Sequence, residues 1–470
     1  MTLTLTPVAR AARTVAESIS GGLDTIVAIA TAPGRGAISI VRMSGEAALL
    51  IAEGLVQPWP IEPRRATLCR IWNSAQSNVI DQALVTVFIA PDSFTGENLV
   101  EIGCHGGLYV PAALMQALIT CGARQALAGE FSRRAVLNGK LDITQAEAIG
   151  DLVDARSGAM HRVALEQLGG GLSRRIAALR DRLIMVEALL VYDIDFPEED
   201  DGPVSRERVG IEIGTLLGLL DAMLATIPAG EIMREGAVAV IAGLPNVGKS
   251  SLFNAILGRS RAIVTDEPGT TRDAIEGLAE TRNWPIRLVD TAGLRETADA
   301  IERLGIEVSE RYLGSANVVL ACGDSEESMA ATLAALTDKT NGSVIRIRTK
   351  SDVGASSSGD STSNFDVHVS SETGDGIASL MSRVDEILTE TVGSTVVDMP
   401  ILTRTRHIQG IRQARDEVAA FGVAWSEGLL PAPVAAVHLR AAAGALEEMI
   451  GAVSTDDVLD RVFSAFCVGK

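Results

Sequence analysis

Residues Gly243 to Ser251 read GLPNVGKSS and follow the apolar, β-branched run Ala237–Ile241. A strand running into G-x-x-x-x-G-K-[ST] predicts a phosphate loop. Gly243 and Gly248 let its backbone wrap closely and aim N–H groups at a β-phosphate. Within such a loop Lys249 neutralises the β/γ oxygens and the Ser250 hydroxyl ligates Mg²⁺. Asn246, Val247, Gly248 and Ser251 complete this first wall of a nucleotide site.

Further segments follow in the order a guanine-nucleotide domain requires. The stretch TDEPGTTRD, from Thr265 to Asp273, is a polar loop with paired threonines that suits folding over Mg²⁺ and a γ-phosphate. It adds Thr265, Asp266, Glu267, Pro268, Gly269, Thr270 and Thr271 to the candidate site, with Thr271 a second Mg²⁺ ligand. IRLVDTAG, Ile286 to Gly293, predicts a strand that delivers Asp290 to the metal's outer shell and the Gly293 N–H to the γ-phosphate, with Thr291 and Ala292 between them. After the strand-like Ser343 to Ile347 comes TKSD, Thr349-Lys350-Ser351-Asp352. Asp352 can accept the paired hydrogen bonds that guanine offers and adenine does not, while the Lys350 stem covers the ring face. Ser370-Ser371-Glu372 supports the base from below.

The rest of the chain frames this domain. Its 470 residues suggest about three domains, and 47% hydrophobic residues support sizeable cores. A formal charge of −19 argues against strong nucleic-acid binding by the whole surface, so an RNA substrate needs a local basic patch or a partner protein. Cys69, Cys104, Cys121, Cys322 and Cys467 are scattered without C-x-x-C spacing, which argues for a reducing cytoplasm and against a zinc site. Pro, Arg or Gly cuts the apolar runs short of about 20 residues, and no membrane span is expected.

Residues 1–22, rich in Thr, Ala and Ser, read as a flexible extension, the competing reading being an organellar transit peptide. From 23 to 140 short β-rich runs and Pro-Gly turns predict a mixed α/β domain. Beyond it Leu172, Ile176, Leu179, Leu183, Val186 and Leu190 step by four and three, predicting a bundle seam in a helical segment 141–234. The run PEEDDGP, Pro197 to Pro203, reads as an acidic connector rather than a metal site. The nucleotide domain spans 235–391 and helical periodicity resumes over 392–470. Two helical segments flanking one insertion predict a single discontinuous bundle that carries a Ras-like domain.

Taken with ATAPGRGAISIVRMSG, SFTGENLVEIGCHGG, GEFSRRAVLNGKLDITQAEAI and the terminal FCVGK, the chain from about Thr25 to Lys470 resembles the MnmE (TrmE) family of tRNA-modifying GTPases. The resemblance implies a cytoplasmic homodimer acting with a flavoprotein, MnmG or GidA, in a heterotetramer or larger complex, with FAD present only in that partner. It implies an aminomethyl-type modification at C5 of the wobble uridine of certain tRNAs, drawing on 5-formyltetrahydrofolate or a related tetrahydrofolate. Folate contacts map by motif to Arg42, Glu101, Lys140 and Lys470. A pterin offers paired donors that a carboxylate such as Glu101 can accept, and a glutamate tail offers carboxylates to Arg42 and the lysines. Cys467 is either a thiol near the one-carbon unit or a buried structural cysteine. A K⁺ site maps to Asn246, Thr265, Glu267 and Thr270, and the water-positioning role to Glu302, with Glu296 second.

The sequence departs from the family pattern at Thr349, where N-K-x-D has Asn. The expectation is that guanine specificity survives through Asp352 while affinity falls by ~1 kcal/mol for a lost hydrogen bond. Leu294 stands where Ras-like enzymes place a water-orienting Gln, so another group must do that work. Two rival classes stay open: a ribosome-assembly switch, which would normally carry an RNA-binding appendage, and a folate-dependent aminomethyltransferase to which the nucleotide domain is surplus.

Overall fold

The computed structural model describes residues 24–195, 206–259, 275–290, 311–353, 364–392, 400–427, 432–451, 463, 466 and 469. They fall into two compact units, one from Met1–Gly150 with Ile450–Lys470 and the other from Asp151–Met449.

The first unit is built on a sheet of β1 (Ile26–Ile29), β2 (Ile38–Ser44), β3 (Val56–Gln57), β4 (Thr67–Trp72), β5 (Val79–Phe88), β6 (Leu99–His105) and β7 (Arg124–Gln125), in the order β3-β4-β5-β6-β2-β1-β7. Side chains alternate across such strands. Val41, Met43, Val85, Val87, Val100 and Ile102 therefore share one buried face, covered by α1 (Ala48–Leu55) and α2 (Tyr109–Thr120). Helices α3 (Glu130–Leu137) and α4 (Ile143–Asp154) follow. Phe463 packs with Ile143 and Ala146, and Phe466 with Val136 beside them. The chain's last residues thus return to the first unit.

In the second unit α5 (Gly158–Leu168) and α6 (Gly171–Asp195) are separated at Gly169–Gly170, and the whole predicted seam from Leu172 to Leu190 is buried. Helices α7 (Arg206–Leu224) and α8 (Ile227–Glu235) lead into a second sheet. Its strands are β8 (Ala237–Gly243), β9 (Ile275–Glu280), β10 (Pro285–Asp290), β11 (Val318–Gly323), β12 (Ser343–Arg348) and β13 (Val367–His368), in the order β13-β12-β11-β8-β10-β9. All neighbours run parallel except the edge strand β9. Both faces are covered, as parallel sheets require. Ala239 and Ile241 pack with Leu252 and Ile256 of α9 (Lys249–Arg259) and with Leu380 and Val384 of α11 (Ile377–Val392). Val238 and Val240 pack with Met329 of α10 (Glu326–Leu336) on the other face.

Beyond the sheet, α12 (Thr405–Glu427) and α13 (Ala432–Ile450) return to the earlier helices. Helix α12 lies along α7. Arg415 pairs with Asp221 at 3.1 Å, and Arg440 of α13 pairs with Glu187 of α6. The bundle is thus discontinuous in sequence, with a Ras-like sheet inserted.

Gly210, Gly214 and Gly218 do not interrupt α7, and Glu207–Glu235 is long and apolar enough by composition to cross a membrane. Each interior glycine costs roughly 1 kcal/mol, which tertiary packing offsets here. Val209, Ile213, Leu216, Leu220 and Met223 form a buried stripe.

Candidate functional site

The phosphate loop leaves β8, whose sheet neighbours β10 and β11 lie on opposite sides of it. Ligands of open α/β sheets bind at such a switch point, beyond the carboxyl ends of the strands. Gly248 has φ of +97°, a conformation that side-chain-bearing residues rarely adopt. Lys249 is buried and its Nζ donates to the Leu244 carbonyl at 2.8 Å, while the Ser250 hydroxyl donates to Asp290 Oδ2 at 2.7 Å. The loop and the end of β10 are therefore joined at the point where the sequence places a metal.

A hydroxyl and a carboxylate are hard oxygen donors that suit Mg²⁺, which is normally completed by phosphates and water rather than by a protein cage. Among the described residues no cluster of three or more His, Cys, Asp or Glu could hold a metal ion.

The TKSD segment is bonded to the phosphate loop. Thr349 Oγ1, fully buried, donates to the Val247 carbonyl at 2.5 Å and reaches the Gly323 carbonyl at 3.3 Å. The hydroxyl thus braces the phosphate loop against the end of β11. Lys350 Nζ donates to the Asn246 carbonyl at 2.8 Å and to Asp324 Oδ2 at 3.2 Å. Burial works against ionisation of Asp324, but hydrogen bonds from Lys350 and Ser328 outweigh it and leave the carboxyl below its usual range. Sequence reasoning did not single out Asp324. Its signal was an acid directly after the apolar strand β11.

Ser370 holds the exposed Asp352 carboxyl below the ordinary range, so the TKSD and Ser370 segments lie side by side. Ser370 also takes part in a tight turn, with Gly374 N–H donating to its carbonyl at 2.8 Å. Ser351 N–H donates to the Val369 carbonyl at 3.2 Å, which ties the TKSD turn to the same loop. Behind the site, burial pushes the Cys322 thiol up to about 12 against the pull of Lys249, and it stays protonated and unreactive. Thr265, Asp266, Glu267, Pro268, Gly269, Thr270, Thr271, Thr291, Ala292, Gly293, Leu294, Glu296 and Glu302 lie outside the described residues.

In the first unit Arg42 and Glu101 occupy one register position of the β2–β6 pair and form an ion pair, with Nε at 2.9 Å and a terminal guanidinium nitrogen at 2.8 Å from the same oxygen. The guanidinium lies 5.5 Å from the Phe94 ring centre and 5.7 Å from that of Phe131, within cation–π range. Lys140 Nζ donates to the Pro91 carbonyl at 3.0 Å, at the start of the loop that carries Phe94. Lys470 and Cys467 lie outside the described residues. Gly469, however, packs on the end of β1, where a Cβ would come within 2.5 Å of the Ile29 carbonyl. Ile29 pairs with Val41, the neighbour of Arg42. Residues of all four quoted motifs are thus gathered in one unit.

A charge network that sequence reasoning missed holds this region. Arg134, almost fully buried, donates to the Asp24 carbonyl at 2.7 Å, to Asp24 Oδ1 at 2.8 Å, to Glu97 at 3.2 Å and to Glu130 at 3.1 Å. Arg124 bridges Asp24 and Glu130 from the other side. Arg124 holds the Asp24 carboxyl below its ordinary value against partial burial. For Glu130 burial is opposed and outweighed by Arg124, the Leu127 N–H and Arg134.

Residues 25–140 match the family described as the GTP-binding protein TrmE N-terminus, and residues 143–467 match the MnmE helical domain. The tRNA modification GTPase MnmE of Moorella thermoacetica is 39% identical over 465 residues, covering 95% of this chain and 99% of its own. Its counterpart from Neisseria meningitidis serogroup C is 39% identical over 456 residues, covering 96% and 100%. Among solved structures, the G domain of the T. maritima FeoB iron transporter is 24% identical with a TM-score of 0.25, covering 33% of this chain and 99% of that one.

Proposed function

The chain belongs to the MnmE family of tRNA modification GTPases, and from that premise we propose that it hydrolyses GTP to drive modification at C5 of a tRNA wobble uridine. The observation that carries the nucleotide half is the bonding of the guanine-reading segment to the phosphate loop, Thr349 to Val247 and Lys350 to Asn246. These contacts support a reading in which base and phosphate are recognised at one place. Ser250 and Asp290, with Thr271, would hold Mg²⁺, which supplies charge neutralisation at the β/γ oxygens. Glu302 would orient the attacking water, and Asn246, Thr265, Glu267 and Thr270 would hold a K⁺ able to supply the positive charge that an arginine finger otherwise brings.

In this reading the segments 23–140, 141–234, 235–391 and 392–470 are the folate-binding and dimerisation domain, the first part of the helical domain, the GTPase domain and the second helical part. Arg42, Glu101, Lys140 and Lys470 bind 5-formyltetrahydrofolate or a related tetrahydrofolate, which supplies the one-carbon unit. The functional form is a cytoplasmic homodimer that works with the flavoprotein MnmG. The net charge of −19 supports a division of labour in which that partner carries most of the tRNA binding. Nucleoside mass analysis of tRNA from a strain lacking this chain tests the reading. Loss of the C5 substituent from wobble uridines supports it, whereas normal tRNA with immature ribosomal subunits favours the assembly switch.

A further inference from the structure

Strands β9 and β10 form a hairpin whose two ends face different tasks. At its open end Asp290 accepts the Ser250 hydroxyl, and the flanking stretches 260–274 and 291–310 contain the residues assigned to Mg²⁺, K⁺ and the attacking water. Register runs from Asp290 opposite Ile275 to Pro285 opposite Glu280. The turn therefore lies about 17 Å from the nucleotide end, at roughly 3.3 Å per residue.

At that turn Glu280 Oε2 accepts the Gly158 N–H at 2.8 Å, and Arg162 donates to the Arg282 carbonyl at 3.3 Å. Gly158 opens α5, directly after the cap Ser157, whose hydroxyl accepts the Met160 N–H at 3.1 Å. The first turn of a helix has backbone donors with no partner inside the helix. Here they are divided between the helix's own cap and a carboxylate brought by the hairpin. An anion is also favoured at that end by the helix dipole.

The turn is tied to α11 of its own domain by several hydrogen bonds. Asp385 of α11 accepts from Thr281 Oγ1 at 2.6 Å, from Asn283 N–H at 2.9 Å and from Asn283 Nδ2 at 2.8 Å, and Trp284 Nε1 donates to Thr389 at 3.0 Å. Ala159 of α5 shares a core with Trp284 and Ile286. At the far end of α5, Gln167 donates to the Ile401 carbonyl at 3.0 Å, where the chain passes from the inserted domain towards α12. The hairpin turn is thus linked through α5 to the segment entering the bundle.

We propose that Glu280 is a positioning residue that transmits nucleotide state from the β9–β10 hairpin to the first turn of α5, and so couples hydrolysis to modification. The inference rests on the GTPase reading of this domain. Switch segments of nucleotide-binding domains rearrange with the γ-phosphate, and a hairpin joining two of them carries that change outward.

The test uses the full chain reconstituted with the flavoprotein partner, tRNA, folate and GTP. GTP turnover, modified nucleoside formed per GTP, and amide exchange over Gly158–Met160 with GDP or a non-hydrolysable GTP analogue are measured for wild type, Glu280→Ala and Glu280→Gln. In the wild type, exchange of this turn should differ at least threefold between the two nucleotides. Glu280→Ala should abolish the difference and lower modification per GTP at least fivefold, with GTP turnover within twofold of wild type. Glu280→Gln, which keeps an oxygen for the Gly158 N–H, should restore most of the yield. Exchange indifferent to nucleotide in the wild type, or a wild-type yield per GTP from Glu280→Ala, would overturn the proposal. A wild-type chain that hydrolyses no GTP would overturn the reading beneath it as well.

Discussion

Arg42 and Glu101 stand opposite each other across β2 and β6 and share an ion pair with both side chains partly exposed. Each is therefore held in place by the other. In the folate reading this couples recognition of the pterin to recognition of the tail. Glu101→Ala and Arg42→Ala should each weaken binding of 5-formyltetrahydrofolate by roughly tenfold or more, and the double variant should fall short of the product of the two effects. GTP affinity should stay unchanged. Calorimetric titration of the four proteins reads the coupling directly, and folate binding indifferent to Arg42, Glu101 and Lys140 would place the pocket elsewhere.

Thr349 is bonded to the loop it sits beneath, so two substitutions should move GTP affinity in opposite directions. Thr349→Val removes the donor to the Val247 carbonyl and should weaken binding by about 1 kcal/mol, roughly fivefold. Thr349→Asn supplies an amide able to reach the base and should strengthen it by a similar factor. Unchanged affinity in Thr349→Asn would mean that the hydroxyl is a full substitute.

Hydrolysis should depend on Glu302 and on the monovalent cation. Glu302→Ala is expected to lower GTP turnover on the order of 10²-fold with nucleotide affinity retained, and replacing K⁺ by Na⁺ should lower it in the wild type. Steady-state phosphate release in the two salts measures both. Full activity of Glu302→Ala in K⁺, or equal rates in Na⁺, excludes this mechanism.

Acid should act on the first unit through Asp24 and Glu130. Their carboxyls lie below the ordinary values of 3.8 and 4.5 in the folded chain. A depressed carboxylate contributes stability that is fully present above its unfolded value and is lost as pH falls through the folded one. Stability of this unit should therefore hold down to about pH 4.5 and decline progressively below it. Hydrogen exchange of β1 and β7 under urea at pH 3 to 7 follows the loss, which Arg124→Ala should flatten. An acid limb unaltered by Arg124→Ala would remove this network as its source.

The features legible in the sequence were those set by neighbours along the chain. The strand before Gly243, the four-and-three spacing from Leu172 to Leu190 and the TKSD turn are short-range patterns, and each sits in the element predicted. What sequence reading missed depends on residues far apart. Glu280 meets Gly158 across 122 positions and Arg134 meets Asp24 across 110, with no local signal to announce either. Thr349 was read as the loss of an amide because nothing in TKSD says that a hydroxyl can turn to the Val247 carbonyl. Helix α7 keeps its three glycines while packing along α12, some 200 residues later, a pairing that no local pattern announces.

The central claim is that GTP hydrolysis by this chain drives modification of tRNA. Reconstitution with the flavoprotein partner, tRNA, 5-formyltetrahydrofolate and either GTP or a non-hydrolysable analogue, followed by nucleoside mass analysis, tests it most directly. The account predicts a mass increase at the wobble uridine with GTP and none with the analogue or with Lys249→Ala. Equal modification with the analogue, or without any nucleotide, would contradict it.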